Sequence, residues 1–216
     1  MSANHRLTNT SPSIRHLSAA DERLRYLIES IGEIEIGQDN DPYASLVETI
    51  VGQMLSNKVA DVLTGRLTAL CGGRIATKTI SALSVPELRA IGLSNAKAAN
   101  ILNLTEAVVN GELDLDSLRT LPDEAVMKAL TSLRGIGPWS AKMHLIFVLC
   151  RENILPYEDG AFLQAYTWLY NTQATKPAEI SAACSHWQPY ASIAARYLYR
   201  ALDLGMTKTP FAFPDG

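Results

Sequence analysis

The chain has 216 residues, 47% of them hydrophobic, which is enough to bury a core as one domain or as two packed helical lobes. Its formal net charge of −3 at pH 7 is unlike the basic surface of most nucleic-acid-binding proteins. It has no run of about 18 apolar residues and no charged-then-apolar leader, so neither a membrane span nor a signal peptide is indicated, and a cytoplasmic protein is expected.

Helical patterns dominate the chain from Asp21 onward. Residues 1–13 are rich in Ser, Thr and Asn and lack periodicity, which predicts a disordered or loosely attached tail. Only Ile34-Glu35-Ile36 suggests a strand, and it is too short to change the class. The predicted fold class is therefore all-α.

Several helix starts are marked by their first residues. Asp41-Pro42 offers an N-cap followed by a first-turn proline, and apolar residues then repeat at helical spacing from Leu46 through Met54 and Leu55. Ser84-Val85-Pro86-Glu87 is a capping box, and Ser94 is a candidate cap for the next helix. Leu121-Pro122-Asp123-Glu124 opens another helix, which runs toward residue 131.

Side chains that could hold a metal or form disulfides are sparse. Cys71, Cys150 and Cys184 are scattered without paired spacing, which argues against a disulfide framework, a zinc site and an iron–sulfur cluster. The four histidines also lack the spacing of metal ligands. No required cofactor is predicted.

The segment from Leu133 to Ala141 has the composition of a hairpin between two helices. Gly135 and Gly137 allow a tight turn with outward-facing amides, and Pro138 can open the next helix because its missing N–H would be unpaired there anyway. Backbone amides in such a turn can hold a phosphate. A helix, a hairpin and a second helix are predicted.

This hairpin, followed by Asp159 at 20 residues beyond Trp139, resembles the helix-hairpin-helix (HhH-GPD) DNA glycosylase superfamily, in its branch of 3-methyladenine DNA glycosylase II. Further segments that resemble this branch are Asp41 to Ala60, Leu88 to Ala98 and Pro189 to Arg200. The resemblance implies a two-lobed helical glycosylase domain over residues 14–205, with the hairpin at about 131–141 and no β-rich amino-terminal domain. Residues 206–216 would form a carboxy-terminal tail.

Asp159 is the candidate catalytic residue. From position alone, its carboxylate could simply cap a helix beginning near Gly160, and the two roles are compatible. The resemblance implies that it stabilises the positive charge that develops on the sugar as the glycosidic bond breaks. Glu158 is the alternative carboxylate, expected to face solvent.

Trp139 bears on the type of reaction. In relatives that also cut the DNA strand, a lysine at this position forms a Schiff base with the sugar. Tryptophan cannot do so, and the resemblance therefore implies a monofunctional enzyme that uses water and has no lyase activity. Trp139 either lines the base pocket or is a buried core residue.

Met54 matches the position of the residue that fills the gap left by an extruded nucleotide in the family. Glutamine or leucine would be expected there, and methionine is a flexible apolar replacement long enough to wedge between bases. The alternative is that Met54 belongs to the core face of its helix. Gln53 and Ser56, on either side, are candidates for contacts to the minor groove.

Further site residues follow from the same resemblance. Tyr43 and Trp187, together with Trp139, are candidate rings for stacking on an electron-poor base, although packing roles are an open alternative. Candidates for holding the DNA backbone are Arg134, Gly135, Gly137, Ser140 and Lys142, with Lys58 and Lys97 as additional cations. Local positive charge of this kind would suffice despite the net charge, with salt-sensitive binding.

Hairpins of this family often hold a monovalent cation through main-chain carbonyls. The matching carbonyls are those of Thr131, Leu133 and Ile136. A K⁺ or Na⁺ ion there would add positive charge beside a phosphate held by the hairpin amides.

Some positions depart from the family pattern. Ala191 stands where an arginine is expected in the last signature, which would remove one contact to the DNA backbone. Gly160 and Ala161 are smaller than the usual residues after the aspartate, which would widen the pocket, and Gln164 replaces a frequent arginine. These departures bear on substrate range and affinity.

The leading hypothesis is a base excision repair enzyme that hydrolyses the N-glycosidic bond of alkylated purines such as 3-methyladenine and 7-methylguanine in double-stranded DNA after base flipping. A monomer is expected, in the cytoplasm at the nucleoid of a bacterium or in the nucleus of a eukaryote. One alternative is a non-catalytic module that binds bent or damaged duplex. Another is a glycosylase for deaminated or ring-damaged bases.

Overall fold

The computed structural model describes residues 5–37 and 41–213. The chain divides into two compact units: unit 1 comprises residues 1–38 and 150–216, and unit 2 comprises residues 39–149. Helices make up most of both units, and the predicted all-α class is confirmed. Among the described residues, no helix is long and apolar enough to cross a membrane.

Unit 1 packs helices from both ends of the chain around one core. Its regular elements are β1 (His5–Leu7), α1 (Pro12–Ala20), α2 (Glu22–Ile31), β2 (Ile34–Ile36), α10 (Gly160–Tyr170), α11 (Pro177–Ala183) and α12 (Ala191–Asp203), with 3₁₀ turns at Ser185–Trp187 and Met206–Lys208. Helix α12 packs against α2 and α10. The largest fully buried side chains in this core are Trp187, Tyr197 and Phe162.

The amino-terminal segment is ordered from residue 5, which corrects the predicted tail at residues 1–13. Strand β1 pairs with β2 in antiparallel register, with Leu7 opposite Ile34, and Leu7 is only 1% exposed. Ser13 and Ile14 are also buried, in the first turn of α1. The partner strand lies about 30 residues away, so the local pattern carried no sign of this pairing. Residues 1–4 lie outside the described residues.

The predicted carboxy-terminal tail also belongs to unit 1 as far as residue 213. The ring of Phe211 meets Trp168 edge-on at 5.0 Å between centroids, and the Trp168 indole donates a hydrogen bond to the Thr209 carbonyl (2.7 Å). The Arg23 guanidinium lies 5.2 Å from the centre of the Phe213 ring. Aromatic packing therefore anchors this segment, while residues 214–216 lie outside the described residues.

A buried carboxylate organises the centre of unit 1. Asp21 caps α2 through Leu24 N (2.9 Å), and its Oδ2 accepts hydrogen bonds from Tyr170 (2.5 Å), His186 (2.8 Å) and Trp187 (3.0 Å). Burial alone would raise the pKa of Asp21, but these hydrogen bonds outweigh it and hold the pKa below the ordinary value. The ionised carboxylate thus joins α2 to the end of α10 and to the 3₁₀ turn at Ser185–Trp187.

We expect Asp21→Asn to lower the free energy of unfolding by about 2–3 kcal/mol, because a neutral amide replaces the charged acceptor of several buried donors. The folded-state pKa is depressed, so this stabilisation is present above the ordinary value of 3.8 and is lost as pH falls through the lower folded-state pKa. Urea unfolding at pH 7 and at pH 3 measures both effects. Asp41→Asn, at a helix cap where asparagine serves equally well, is the matched control; an equal loss there would contradict the role of the network.

Unit 2 is helical throughout its described part. Its α-helices are α3 (Pro42–Gly52), α4 (Asn57–Leu70), α5 (Thr77–Ile80), α6 (Val85–Ala90), α7 (Asn95–Val109), α8 (Asp123–Thr131) and α9 (Pro138–Met143). A 3₁₀ turn spans Ser117–Arg119, and α9 continues as one π-helical turn, His144–Val148. Helix α3 packs against α4, α7 and α9. The predicted caps Asp41, Ser84 and Ser94 are confirmed, each accepting a backbone amide.

Helix α3 ends two residues before Met54, which corrects the prediction of one helix running through Leu55. Its apolar residues Leu46, Val47, Ile50 and Val51 are fully buried. Gln53 leaves the helical conformation, and residues 53–56 form a turn before α4. Met54 and Leu55 continue the apolar spacing in the sequence, but they lie in the turn after the helix and not on its core face.

Candidate functional site

Asp159 is a buried helix cap in unit 1. Its side chain is 8% exposed, and its Oδ1 accepts a hydrogen bond from the Phe162 amide at the start of α10 (2.7 Å). The predicted capping role is thus confirmed. Gly160 and Ala161, the next two residues, are small and exposed.

Tyr199 of α12 interacts electrostatically with the Asp159 carboxylate. Burial, and then the nearby negative charge of Asp159, raise the pKa of the Tyr199 phenol. Tyr199 therefore stays protonated beside Asp159. Ala191, at the start of the same helix, is 3% exposed and lies in the core of unit 1.

Met54 is held in an unusual conformation in unit 2. Its side chain is fully exposed (101%), and its φ of +58° lies in the left-handed region, which costs a residue other than glycine about 1–2 kcal/mol. Neighbouring Leu55 and Val59 are exposed as well, at 37% and 45%. Packing does not account for an exposed, strained methionine, and the core alternative for Met54 is wrong.

The turn that carries Met54 is fastened at two places. The Lys97 ammonium of α7 donates to the carbonyls of Val51 (2.8 Å) and Gln53 (2.7 Å). The Gln53 side-chain amide donates to the Gly135 carbonyl (2.8 Å) and to Ser140 Oγ (3.0 Å). The turn is therefore tied both to α7 and to the hairpin between α8 and α9.

These contacts give three predicted DNA ligands partners within the protein. Gln53 and Ser140 were expected to contact DNA, but the amide hydrogens of Gln53 point into the protein, and Ser140 is 2% exposed. Lys97 was a candidate phosphate cation, and burial lowers the pKa of its ammonium while its hydrogens bond main-chain carbonyls. Ser56 remains exposed just before α4, so its proposed contact stays a prediction.

The hairpin has the conformation that its glycines predicted. Gly135 has φ +90°, and a Cβ built on it would lie 2.2 Å from Asn100 Cγ of α7, so only glycine fits. Gly137 is the N-cap of α9, and Ile136 between them is buried. Arg134 is exposed and Lys142 partly exposed, and their proposed contacts to DNA stay predictions.

Comparison with known proteins identifies the family. A family model described as "HhH-GPD superfamily base excision DNA repair protein" matches residues 47–189. The chain belongs to this superfamily. "DNA-3-methyladenine glycosylase 1" of Schizosaccharomyces pombe is 26% identical over 211 residues, which cover 92% of this chain and 90% of the relative. The predicted superfamily and branch are confirmed.

Solved structures of 3-methyladenine DNA glycosylases share the fold. The DNA-3-methyladenine glycosidase of Bacillus halodurans superposes with a TM-score of 0.81 and is 30% identical, covering 95% of this chain and 96% of its own. The Mag1 glycosylase of Schizosaccharomyces pombe, solved in complex with abasic DNA, gives a TM-score of 0.83 at 23% identity, covering 94% and 100% of the two chains. The second likeness concerns the fold alone.

Within this HhH-GPD protein, two of the three predicted pocket rings are core residues. Trp187 is completely buried in unit 1 and donates its indole N–H to Asp21. Tyr43 is 6% exposed in unit 2 and shares a hydrogen bond of 2.7 Å with Thr105 Oγ1. Both predictions are corrected, because large rings whose polar atoms find internal partners are stable in a core. Trp139 is partly exposed, and its pocket role stays a prediction.

Sequence reasoning missed two residues in unit 2, Lys97 as a tie to the Met54 turn and Asn100 behind Gly135, and one in unit 1, Tyr199 beside Asp159. The partners of these residues lie between 35 and 46 positions away in the chain. Local periodicity carries no signal for such pairs. The one available hint was that Lys97 lies three residues after the cap Ser94, in a segment that resembles a family signature.

Proposed function

We propose that this protein is a monofunctional DNA glycosylase that hydrolyses the N-glycosidic bond of alkylated purines in double-stranded DNA. The observation that carries the proposal is the buried carboxylate of Asp159 at the N-terminus of α10, in a chain whose relatives are named DNA-3-methyladenine glycosylases. Alkylated purines such as 3-methyladenine and 7-methylguanine are cationic and already good leaving groups. One carboxylate, without a general acid, is therefore sufficient to catalyse cleavage of the N-glycosidic bond.

Asp159 would act by charge. As the bond from the sugar to the base lengthens, positive charge develops on the sugar ring, and an ionised carboxylate shielded from water stabilises it. The amide of Phe162 holds the carboxylate in one orientation, so little reorganisation is needed during the reaction. Water then adds to the sugar carbon, and an intact strand with an abasic site remains.

The absence of lyase activity is proposed from Trp139. The indole has no nucleophilic amine, and Lys142, one turn further along α9, is the nearest lysine in the chain. A Schiff base with the sugar requires an amine at the reacting carbon. We therefore propose hydrolysis alone, with Trp139 lining the pocket of the extruded base.

Binding to the DNA backbone is proposed for the hairpin. The amides of Gly135, Gly137 and Trp139 and the side chains of Arg134 and Lys142 supply donors and positive charge for phosphates. Met54, fully exposed, would fill the space left by the extruded nucleotide. Since few cations are involved and the net charge is −3, binding should be weak and sensitive to salt.

A monovalent cation at the carbonyls of Thr131, Leu133 and Ile136 is part of the same proposal. The Leu133 carbonyl accepts the Ile136 amide at 3.1 Å, and a carbonyl oxygen has a second lone pair for an ion. Such an ion would add positive charge next to the hairpin amides.

Single-turnover release of 3-methyladenine and 7-methylguanine from methylated duplex DNA tests the function. We expect wild-type protein to release both bases and to leave strands that break only after alkali treatment. Borohydride should trap no covalent complex, because no Schiff base forms. Binding to duplex without release of either base would favour the non-catalytic alternative, and a trapped complex would contradict the monofunctional mechanism.

A further inference from the structure

One face of α7 contacts both elements that we propose to bind DNA, namely the turn that carries Met54 and the hairpin between α8 and α9. Lys97 and Asn100 are three residues apart on this helix and so share a face. Lys97 binds the turn that carries Met54, while Asn100 lies directly behind Gly135 of the hairpin. All of these residues belong to unit 2. Helix α7 is thus a common support for the turn and the hairpin.

The two hydrogen bonds from Lys97 act on the conformation of Met54. The carbonyls of Val51 and Gln53 lie at the end of α3, where helix carbonyls lack partners within the helix and where a cation is favourable. The Gln53 carbonyl is in the same planar peptide as the Met54 amide. Fixing that carbonyl therefore fixes the peptide plane from which the left-handed Met54 projects.

The second tie couples the turn to the hairpin. The Gln53 side chain reaches the Gly135 carbonyl and Ser140 Oγ, so a displacement of the turn would also break contacts within the hairpin. Lys97, Gln53 and Gly135 form a continuous set of hydrogen bonds and close contacts. The backbone of Met54 is thereby held at a set position with respect to the hairpin.

We propose that Lys97 is a positioning residue that holds Met54 ready for insertion into duplex DNA, rather than a ligand of a DNA phosphate. The inference rests on the proposed function, in which Met54 fills the gap left by an extruded nucleotide. A residue whose backbone is already held in place loses less conformational freedom at the moment of binding. Removing the ammonium releases the strained residue and leaves two carbonyls without their donor.

The test measures insertion separately from excision. The probe is a duplex that contains an abasic-site analogue flanked by 2-aminopurine, whose fluorescence rises when the neighbouring stack opens. We expect Lys97→Met to lower the fluorescence amplitude at saturating protein to that of Met54→Ala. The double variant should lose no more fluorescence amplitude than either single variant.

Excision gives a second readout. On methylated duplex, Lys97→Met should slow release of 3-methyladenine by about 10- to 100-fold.

The dependence of DNA binding on salt concentration distinguishes a positioning role of Lys97 from a direct contact between Lys97 and a phosphate. Loss of one phosphate ligand lowers the slope of log K against log salt concentration by about 1, whereas a positioning role leaves the slope unchanged. Lys78→Met, which removes an exposed lysine from α5, is the control for loss of charge. Lys97→Gln, which keeps one donor, replaces Lys97→Met if that variant fails to fold in thermal denaturation.

Two results would overturn the inference. One is a Lys97 variant that is folded, gives the wild-type fluorescence amplitude and loses about one unit of salt slope. The other is a double variant whose losses are the sum of the single ones, since independent roles add. The fluorescence readout needs no bond cleavage, so a protein that inserts Met54 yet releases no alkylated base would contradict the proposed function and leave the positioning role supported.

Discussion

Asp159→Asn should lower the single-turnover rate of alkylated-base release by at least about 100-fold, because it removes the charge that opposes the developing cation on the sugar. Asparagine caps a helix as well as aspartate does, so the bond to the Phe162 amide and the fold should persist. Release of 3-methyladenine and 7-methylguanine measures the rate. The Tm measured by thermal denaturation is expected to differ from that of wild type by no more than about 2 °C.

Glu158→Gln is the matched control for this prediction. It removes one negative charge from the adjacent position, where the side chain is exposed, and release should stay near the wild-type rate. If Glu158→Gln stopped release while Asp159→Asn did not, the catalytic assignment would move to Glu158. Equal losses in both variants would indicate a general effect of charge in this loop rather than a reacting carboxylate.

Gly135→Ala should destabilise unit 2 by about 2–4 kcal/mol. The left-handed φ of +90° costs alanine about 1–2 kcal/mol, and its Cβ would lie 2.2 Å from Asn100 Cγ, so the hairpin must move away from α7. The amides proposed to hold a phosphate move with it, and affinity for duplex DNA should fall. Urea unfolding and a DNA titration at fixed salt measure the two effects.

Gly137→Ala is the control for Gly135→Ala. It adds the same methyl group to the hairpin at a position that does not require a left-handed φ. Gly137 has an ordinary negative φ, and a Cβ there would meet no atom within 4 Å. We expect its unfolding free energy to fall by no more than about 1 kcal/mol, the usual cost of alanine in place of glycine at a helix N-cap. A similar loss of stability in both variants would show that the left-handed conformation and Asn100 are not what selects glycine at position 135.

Sequence alone determined the features of this protein that depend on neighbours a few residues apart. The caps at Asp41, Ser84, Ser94 and Asp159 are local, because a side chain there meets an amide three residues later. The hairpin is local as well, since Gly135 and Gly137 restrict which turn can form. Together with the resemblance at these positions, they were sufficient for the all-α class and the family.

Tertiary structure decided which of the candidate residues are accessible. Met54 and Trp187 were both predicted to act on the extruded nucleotide, yet one is fully exposed and the other completely buried. Met54 lies in a turn in which Lys97 donates to the carbonyls of Val51 and Gln53, while the Trp187 indole donates to the buried Asp21 in unit 1. Such partners are separated by 44 to 166 residues. Only the folded chain brings them within hydrogen-bonding distance, and local patterning carries no record of which distant group will satisfy a polar atom.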